Sequence, residues 1–294
     1  MFQFQPPGFE QRLIETSLGP MVYYTPAVAV DREEEVLPLI FLHSLGGGSS
    51  AYEWSKVYPA FALTYRVLAL DLIGWGQSAH PVRNYQLQDY WAILTEFIQQ
   101  MGAPVVVVAS SLTAGLTVRL AIQQPELFQA LMLVCPSGYA DFGKDYRQNL
   151  STQMVQIPGL DQLIYSLGAA NAVAVRTVLE QLLFAKRSRV SEEMVAAYLA
   201  SAQQPNAESA ALASLRGDLC FDLAEYIQQL TIPTVMVWGE QSRFSSPDLG
   251  RQLANLNPQA IKTFQSIPDA GVLPHLELPA VIVGLLQRYL RDIR

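Results

Sequence analysis

The chain has 294 residues, of which 50% are hydrophobic and 15% are charged, so it can bury a large core and does not have the composition of a disordered protein. Its formal net charge of -7 argues against nucleic acid or an anionic membrane as a partner. Cys135 and Cys220 lie far apart and give neither a disulfide framework nor a metal-binding spacing. No signal segment and no apolar span of membrane length is found, so we expect a cytoplasmic protein.

Short apolar runs bounded by turn residues predict the strands. The first two, Leu13–Thr16 and Met21–Thr25, are separated by Ser17-Leu18-Gly19-Pro20 and predict a β-hairpin. Later runs follow along the chain, and four of the seven runs from Met21–Thr25 onward are apolar at consecutive positions, as is typical of central parallel strands that are covered on both faces. These later runs are Leu37–His43, Arg66–Asp71, Val105–Ser110, Ala130–Pro136, Thr234–Gly239 and Ile261–Ile267.

Segments with helical periodicity lie between the runs. Leu87–Met101 spaces its apolar residues alternately by three and four, and Ala114–Gln124 and Ala280–Leu290 also predict helices. Alternation of strands and helices in this order predicts an α/β fold with a doubly wound, mostly parallel sheet of about eight strands.

The alternation is interrupted between about Tyr139 and Leu230, where no strand is predicted. Val173–Leu183 and Ser191–Ala202 have amphipathic patterns, the second with Ser191 as its N-cap. We therefore expect a helical insertion over residues 139–218 that covers one end of the sheet. The core would then be formed by residues 1–138 and 219–294.

The segment Val105–Gly115 carries the first chemical signal, because an apolar strand runs directly into a helix with mostly small residues around Ser111. A nucleophile exposed on a sharp strand-to-helix turn needs small neighbours, usually in the pattern Gly-x-Ser-x-Gly. Here Ala109 and Thr113 take the glycine positions. The helix start would present the Leu112 N–H, one half of an oxyanion hole. A serine that merely caps the helix is the alternative at this point.

Four further segments occur in a consistent order. They are His43-Ser44-Leu45-Gly46-Gly47-Gly48, Asp71-Leu72-Ile73-Gly74-Trp75-Gly76-Gln77-Ser78, Pro233–Glu240 and Asp269–Pro279. Together with the serine turn they resemble the α/β-hydrolase family, in its branch with a serine nucleophile and a lid inserted after the sixth strand. The resemblance implies that Ser111 stands at the nucleophile position and that the N–H groups of Leu45 and Leu112 form the oxyanion hole.

The same resemblance shows where the pattern departs from the family. The acid position is Ser242 and the histidine position is Val272. A serine hydroxyl is a weak nucleophile without a base, and valine cannot accept a proton. Asp269 and Glu277 are expected to hold this loop and to cap the last helix.

Three histidines remain as possible bases. His43 begins the segment His43–Gly48, which resembles the family's oxyanion loop, and is expected to be structural. His80 is expected to be a surface loop residue. His275, three residues beyond the lost position, is the best surrogate base, although a bystander role is favoured. Glu240, or Asp141 after the sixth strand, would be the surrogate acid.

Two functions remain open. The first is a protein without efficient catalysis that binds a small, mostly apolar ligand or a protein partner between sheet and lid. The second is an active, carboxylesterase-like hydrolase that uses Ser111 with His275. No cofactor or metal is expected, because the glycine run of the oxyanion loop lacks the features of a nucleotide-binding loop. Lid side chains that could line a pocket, or pack the lid on the core, are Tyr165, Leu182, Phe184 and Tyr198.

Overall fold

A computed structural model of the chain describes residues 3–28, 36–144, 165 and 170–293. Its strands form one sheet in the order β1-β2-β4-β3-β5-β6-β7-β8. β1 pairs antiparallel with β2, β2 pairs antiparallel with β4, and the remaining neighbours are parallel. The strands are β1 (Phe9–Thr16), β2 (Gly19–Pro26), β3 (Pro38–Leu42), β4 (Arg66–Leu70), β5 (Val105–Ser110), β6 (Phe128–Val134), β7 (Thr234–Gly239) and β8 (Ile261–Ile267).

The burial of the strands explains their sequences. Every residue of β3, β5 and β7 is buried, which accounts for their continuous apolar runs. In contrast, β8 lies at the edge of the sheet and buries only its two ends, so it tolerates Lys262 and Gln265. The predicted α/β class and the mostly parallel, eight-stranded sheet are confirmed.

The helices of the described chain are α1 (Leu87–Met101), α2 (Ser111–Gln123), α3 (Ala172–Val178), α4 (Glu192–Ala202), α5 (Ala207–Arg216), α6 (Leu223–Ile227), α7 (Pro247–Asn255), α8 (Pro274–Glu277) and α9 (Pro279–Asp292). Helix α1 has the predicted bounds. The amide of Ala174 donates to the Asn171 side chain at the start of α3, and Met194 donates to the predicted N-cap Ser191 at the start of α4.

Some predicted bounds are wrong. In the hairpin, Gly19 and Pro20 belong to β2, so that only Ser17 and Leu18 form the turn. Helix α2 starts at Ser111 instead of Ala114. The predicted helix Val173–Leu183 consists of α3 followed by a π-type turn over its last five residues.

The segment between β6 and β7 contains α3, α4, α5 and α6, and its only β contact among the described residues is a single bridge between Tyr139 and Phe221. The limits 139–218 of the lid stay a prediction, and residues 145–164 and 166–169 lie outside the described part. Tyr165, Phe184 and Tyr198 are buried, as expected, whereas Leu182 is 44% exposed. Leu182 is therefore less covered than the other three side chains.

Cys135 and Cys220 are not joined in a disulfide, and Cys135 is buried just beyond β6 with a φ of 46°. The run predicted as a strand from Ala130 to Pro136 is a strand from Phe128 to Val134, and the Cys135 N–H still donates to the Val237 carbonyl of β7. In the described residues, no helix has the length and apolar character needed to cross a membrane.

Candidate active site

Ser111 lies on a sharp turn between the central strand β5 and helix α2. Its φ of 55° falls in the left-handed region, which a non-glycine residue occupies only when its surroundings enforce it. Gly115, one turn along α2, is required here, since a Cβ would come within 2.7 Å of the Ser137 carbonyl oxygen. The turn therefore has the strained geometry of a nucleophile elbow, and Ser111 is more than a helix cap.

The Ser111 hydroxyl contacts a tyrosine. Its Oγ lies 3.0 Å from the Tyr139 Oη, and Tyr139 itself has a φ of 65°. Sequence reasoning missed Tyr139, although a signal was present. Tyr139 follows β6, which pairs with β5 in parallel, so the carboxyl ends of the two strands lie side by side. A side chain shortly after β6 was thus a candidate neighbour of Ser111.

The oxyanion loop after β3 is held by His43. Its Nδ1 lies 2.5 Å from the Ser44 carbonyl oxygen, and the Leu72 N–H donates to its Nε2 over 3.0 Å. One ring nitrogen must therefore donate and the other accept, which describes a neutral imidazole. The expectation that His43 is structural is confirmed. The predicted oxyanion residues Leu45 and Leu112 are both buried, and their joint action on a ligand oxygen stays a prediction.

Glu53 is a second residue that sequence reasoning missed, and it is fully buried beside the oxyanion loop. Its carboxylate accepts hydrogen bonds from the Ser44 N–H and Oγ, both at 2.8 Å, and from the Tyr198 Oη of α4 at 2.9 Å. Burial opposes its ionisation but is outweighed by the nearby imidazoles of His275 and His43 and by the hydrogen bond from the Ser44 N–H, so the pKa of Glu53 falls to about 2. The carboxylate joins the loop to the lid.

His275, the expected surrogate base, packs in the core next to Glu53. Its ring stacks on Trp54 with centroids 3.9 Å apart, and its Nε2 lies 3.8 Å from a Glu53 oxygen, beyond hydrogen-bond range. Burial lowers the pKa of His275, and neither ring nitrogen has a hydrogen-bond partner within the described chain. His275 therefore makes no hydrogen bond to Ser111 in this structure, and its role as a surrogate base stays a prediction.

The loop Asp71–Ser78 after β4 is held together by hydrogen bonds to the Asp71 carboxylate. Asp71 is fully buried and accepts hydrogen bonds from the Ala51 N–H, the Gln77 N–H and the Tyr24 hydroxyl. Gly76 has a φ of 55°, and a Cβ there would lie 2.2 Å from the Asp71 carboxyl carbon. The glycine therefore allows the loop to close on its own aspartate.

The positions predicted for the acid and the base lie in loops that are held by backbone hydrogen bonds. The Ser242 N–H donates to the Gly239 carbonyl at 3.1 Å, and its buried Oγ has no partner within the described residues. Val272 is buried, and its N–H donates to the Leu183 carbonyl of the lid at 3.0 Å. The valine side chain cannot accept a proton, and the neutral hydroxyl of Ser242 lacks the negative charge with which a carboxylate stabilises an imidazolium.

Glu277 holds the loop Asp269–Pro279, which resembles the family's histidine loop, as expected from the sequence. It accepts hydrogen bonds from the Gly271 N–H at 2.5 Å and the Ala185 N–H at 3.0 Å, and pairs with Arg189 at 3.1 Å. The expectation that it also caps the last helix is wrong, because α9 has Leu278 at its N-cap without a side-chain hydrogen bond. Asp269 instead forms an exposed ion pair with Lys186.

The two expected surrogate acids serve other roles. Glu240 is exposed and accepts a hydrogen bond from the Ser266 hydroxyl at the sheet edge. Asp141 is buried and accepts hydrogen bonds from Ser137, Gly138 and Leu223, and burial raises its pKa. Neither is placed to orient His275.

His80 is half-buried instead of lying on the surface, and burial lowers its pKa. Its backbone carbonyl accepts a hydrogen bond from Asn206. In the part of the chain that the structure describes, no cluster of His, Cys, Asp or Glu side chains could hold a metal ion.

Comparison with known proteins agrees with this geometry. The family profile of the alpha/beta hydrolase fold matches residues 38–279. The chain is 27% identical over 243 residues to "Uncharacterized hydrolase YugF" of Bacillus subtilis (strain 168), which covers 80% of this chain and 83% of that protein. It is 25% identical over 211 residues to "2-hydroxy-6-oxo-6-(2'-aminophenyl)hexa-2,4-dienoic acid hydrolase" of Metapseudomonas resinovorans. This alignment covers 70% of this chain and 68% of that protein.

A solved structure shares the fold. It is described as a His-tagged serine hydrolase involved in carbazole degradation, and superposes with a TM-score of 0.77 at 20% identity, covering 97% of this chain and 100% of that one. At this identity the likeness shows the fold alone. The family profile, however, spans most of the chain, from β3 to the start of α9, and includes the elbow at Ser111. The chain therefore belongs to the α/β-hydrolase fold family.

Proposed function

We propose that the Ser111 site binds a small, mostly apolar ligand and does not hydrolyse it at an appreciable rate. The observation that carries the proposal is the partner of the nucleophile. The Ser111 hydroxyl meets the hydroxyl of Tyr139 at 3.0 Å, while the acid and base positions are Ser242 and Val272. A tyrosine hydroxyl, with an ordinary pKa of about 10, is not a proton acceptor at neutral pH.

The cost of losing the base is large. In a serine hydrolase, removing the histidine lowers turnover by on the order of 10⁶-fold, which corresponds to about 8 kcal/mol of barrier. His275 does not replace it, since its ring is stacked on Trp54 beside Glu53. The absence of an acid at Ser242 is consistent with this, because there is no imidazole to orient.

The apolar character of the ligand is supported by the lid. Phe184 and Tyr198 are buried together with Leu179 in the part of the lid that covers the core. The relative from Metapseudomonas resinovorans is named for an aromatic dienoic acid, so a ligand made mainly of carbon has a precedent in a related protein. A protein partner at this site is the less favoured alternative.

The second candidate is an active serine hydrolase of small esters, and one observation favours it. The φ of 55° at Ser111 costs about 1–3 kcal/mol, and such strain clusters at functional sites. In this case Ser111 would attack the acyl carbon, the N–H groups of Leu45 and Leu112 would stabilise the oxyanion, and His275 would have to leave Trp54 to act as base.

The test is reaction of the purified protein with a fluorophosphonate probe, with Ser111→Ala as the control. We expect no labelling above that of Ser111→Ala. Labelling at Ser111, with turnover of short-chain esters that is lost in Ser111→Ala, would overturn the proposal. Retention of that turnover in His275→Ala would then remove His275 as the base.

A further inference from the structure

A surface cavity of about 290 Å³ lies between helix α9 and the segment that leads into β4. Phe61, Tyr65 and Leu290 line it, and all three side chains are buried, so each presents only part of its apolar surface to the cavity. The rings of Phe61 and Tyr65 pack edge to face with their centroids 6.3 Å apart, which fixes this wall. Because an apolar cavity of about 150 Å³ can hold benzene, this one has room for an aromatic ring with a small substituent.

Gly284 leaves space for a ligand on the α9 side of the cavity. It lies in the interior of this 14-residue helix, and a Cβ at this position would lie in open space. Glycine is among the least favourable residues in a helix interior, and packing does not require it here. Since Gly284 lines the cavity, a large side chain in its place would extend into the space that a ligand would use.

Arg291 supplies the charge of the cavity. It lies two helical turns beyond Gly284 on the same face of α9, and it lines the cavity together with the neutral side chains of Gln287 and Thr64. Within the part of the chain that the structure describes, its guanidinium has no ion pair and no hydrogen bond, and no acidic residue lines the cavity. A guanidinium binds a carboxylate through two parallel N–H groups, so an unpaired one at a cavity wall favours an anionic ligand.

The cavity and the Ser111 site lie at opposite ends of the sheet. Tyr65 comes directly before β4, Ser111 comes directly after β5, and both strands run parallel to β3. Strands of this length, at about 3.3 Å per residue, separate the two ends by roughly 15–20 Å. A ligand in the cavity therefore does not contact the nucleophile position, and its binding is independent of the proposed function.

We propose that this cavity is a second binding site and that its ligand is a small aromatic carboxylate. The ring packs against Phe61, Tyr65 and Leu290 beside Gly284, and the carboxylate oxygens accept hydrogen bonds from the Arg291 guanidinium. Each half alone is weak, because an exposed ion pair contributes little and the apolar wall is small. The site therefore selects molecules that carry both an aromatic ring and a negative charge.

The test measures the binding of small probes to the full chain at pH 7 by ligand-observed NMR titration. The probes are benzoate, the neutral benzyl alcohol, and acetate, which lacks the ring. We expect benzoate to bind with a Kd of about 1 mM, and benzyl alcohol and acetate to bind at least about 10-fold more weakly.

Two variants locate the ligand. Gly284→Leu fills the cavity without a clash at its Cβ, and Arg291→Gln removes the charge, so each should weaken benzoate binding at least about 5-fold. Arg288→Gln is the matched control, because Arg288 is exposed on α9 and does not line the cavity. It should leave the affinity unchanged.

Undiminished benzoate binding in Gly284→Leu would place the ligand elsewhere and overturn the inference, and it would leave the proposal for the Ser111 site untouched. Equal affinities for benzoate and benzyl alcohol would also overturn it, since the carboxylate would then not be recognised. If Arg291→Gln lowers the melting temperature but not the affinity, Arg291 only offsets the dipole of α9 and the inference fails. Absence of benzoate binding to the folded chain overturns it as well. Should Gly284→Leu not fold, Arg291→Gln and its control Arg288→Gln decide.

Discussion

The loops on the two sides of the Ser111 site differ in which of the side chains expected for the family they contain. On one side of β5, the loops after β3 and β4 retain fully satisfied polar networks around Glu53 and Asp71. On the other side, the loops after β7 and β8 keep their backbone, clamped by Glu277, but have Ser242 and Val272 at the functional positions. Hydrogen bonds that support the backbone are present on both sides, whereas the positions predicted for the acid and the base carry a serine and a valine. The fold of these loops therefore does not depend on an acid or a histidine at the two positions.

The largest expected effect comes from placing an acid and a histidine at the two family positions in the loops after β7 and β8. In Ser242→Asp/Val272→His, hydrolysis of p-nitrophenyl acetate should rise about 10³-fold, because the elbow and helix α2 are already in place and the base is what is missing. The same double substitution in Ser111→Ala should remain at the wild-type level. A folded double variant without any gain would show that the elbow side has also lost its catalytic geometry.

The next largest effect is expected at Glu53, which supports the loop after β3. Glu53→Ala leaves the Ser44 N–H and the Tyr198 hydroxyl buried without an acceptor, so the free energy of unfolding should fall by about 3 kcal/mol in urea titrations. Asp248→Ala is the control, since its exposed pair with Arg251 should contribute less than about 0.5 kcal/mol. A loss at Glu53 no larger than at Asp248 would contradict a role for Glu53 in holding the loop.

A smaller effect is expected at the aspartate loop. Gly76→Ala places a methyl group on the Asp71 carboxylate and forces a positive φ on alanine, so the free energy of unfolding should fall by about 2 kcal/mol. Gly284→Ala is the matched control. It lies within α9 with open space at its Cβ, so the same change should stabilise the protein by up to about 1 kcal/mol. Equal effects at the two glycines would mean that the loop after β4 adapts freely.

The smallest effect is the pH dependence that His275 contributes. Because burial lowers its pKa in the folded protein, the unfolded chain takes up the proton first as the pH falls below about 6.5. This contribution to stability is therefore fully present above about pH 6.5 and declines as the pH falls below it. His275→Phe keeps the stacking on Trp54 and should unfold with a correspondingly shallower pH dependence between pH 7 and 5. His80, whose pKa is also lowered, contributes to the slope that remains, and the raised pKa values of Asp71 and Asp141 oppose it. An unchanged slope in His275→Phe would mean that the imidazole is already charged in the fold.

The fold was largely predictable from the sequence, because strands buried on both faces must be continuously apolar. β5, β7, β8 and α1 have the predicted bounds. Predicted bounds are wrong where strand pairing or a change of helix type, which composition does not reveal, sets the end of an element. Gly19 and Pro20 belong to β2 because they pair with β1, and Leu179–Leu183 leaves the α-helical geometry although its periodicity continues.

The candidate site was predictable only where a residue type is tied to a motif. The sequence by itself determined the strand-to-helix turn at Ser111 and the Asp71 loop, since order and spacing carry that information, and it predicts that the acid and histidine positions are Ser242 and Val272. Only the tertiary structure decided the partners. It placed Tyr139 on Ser111 and stacked His275 on Trp54 beside Glu53. Contacts of this kind join residues that are distant along the chain or held by an unusual backbone angle, and their geometry depends on packing, which local sequence patterns do not encode.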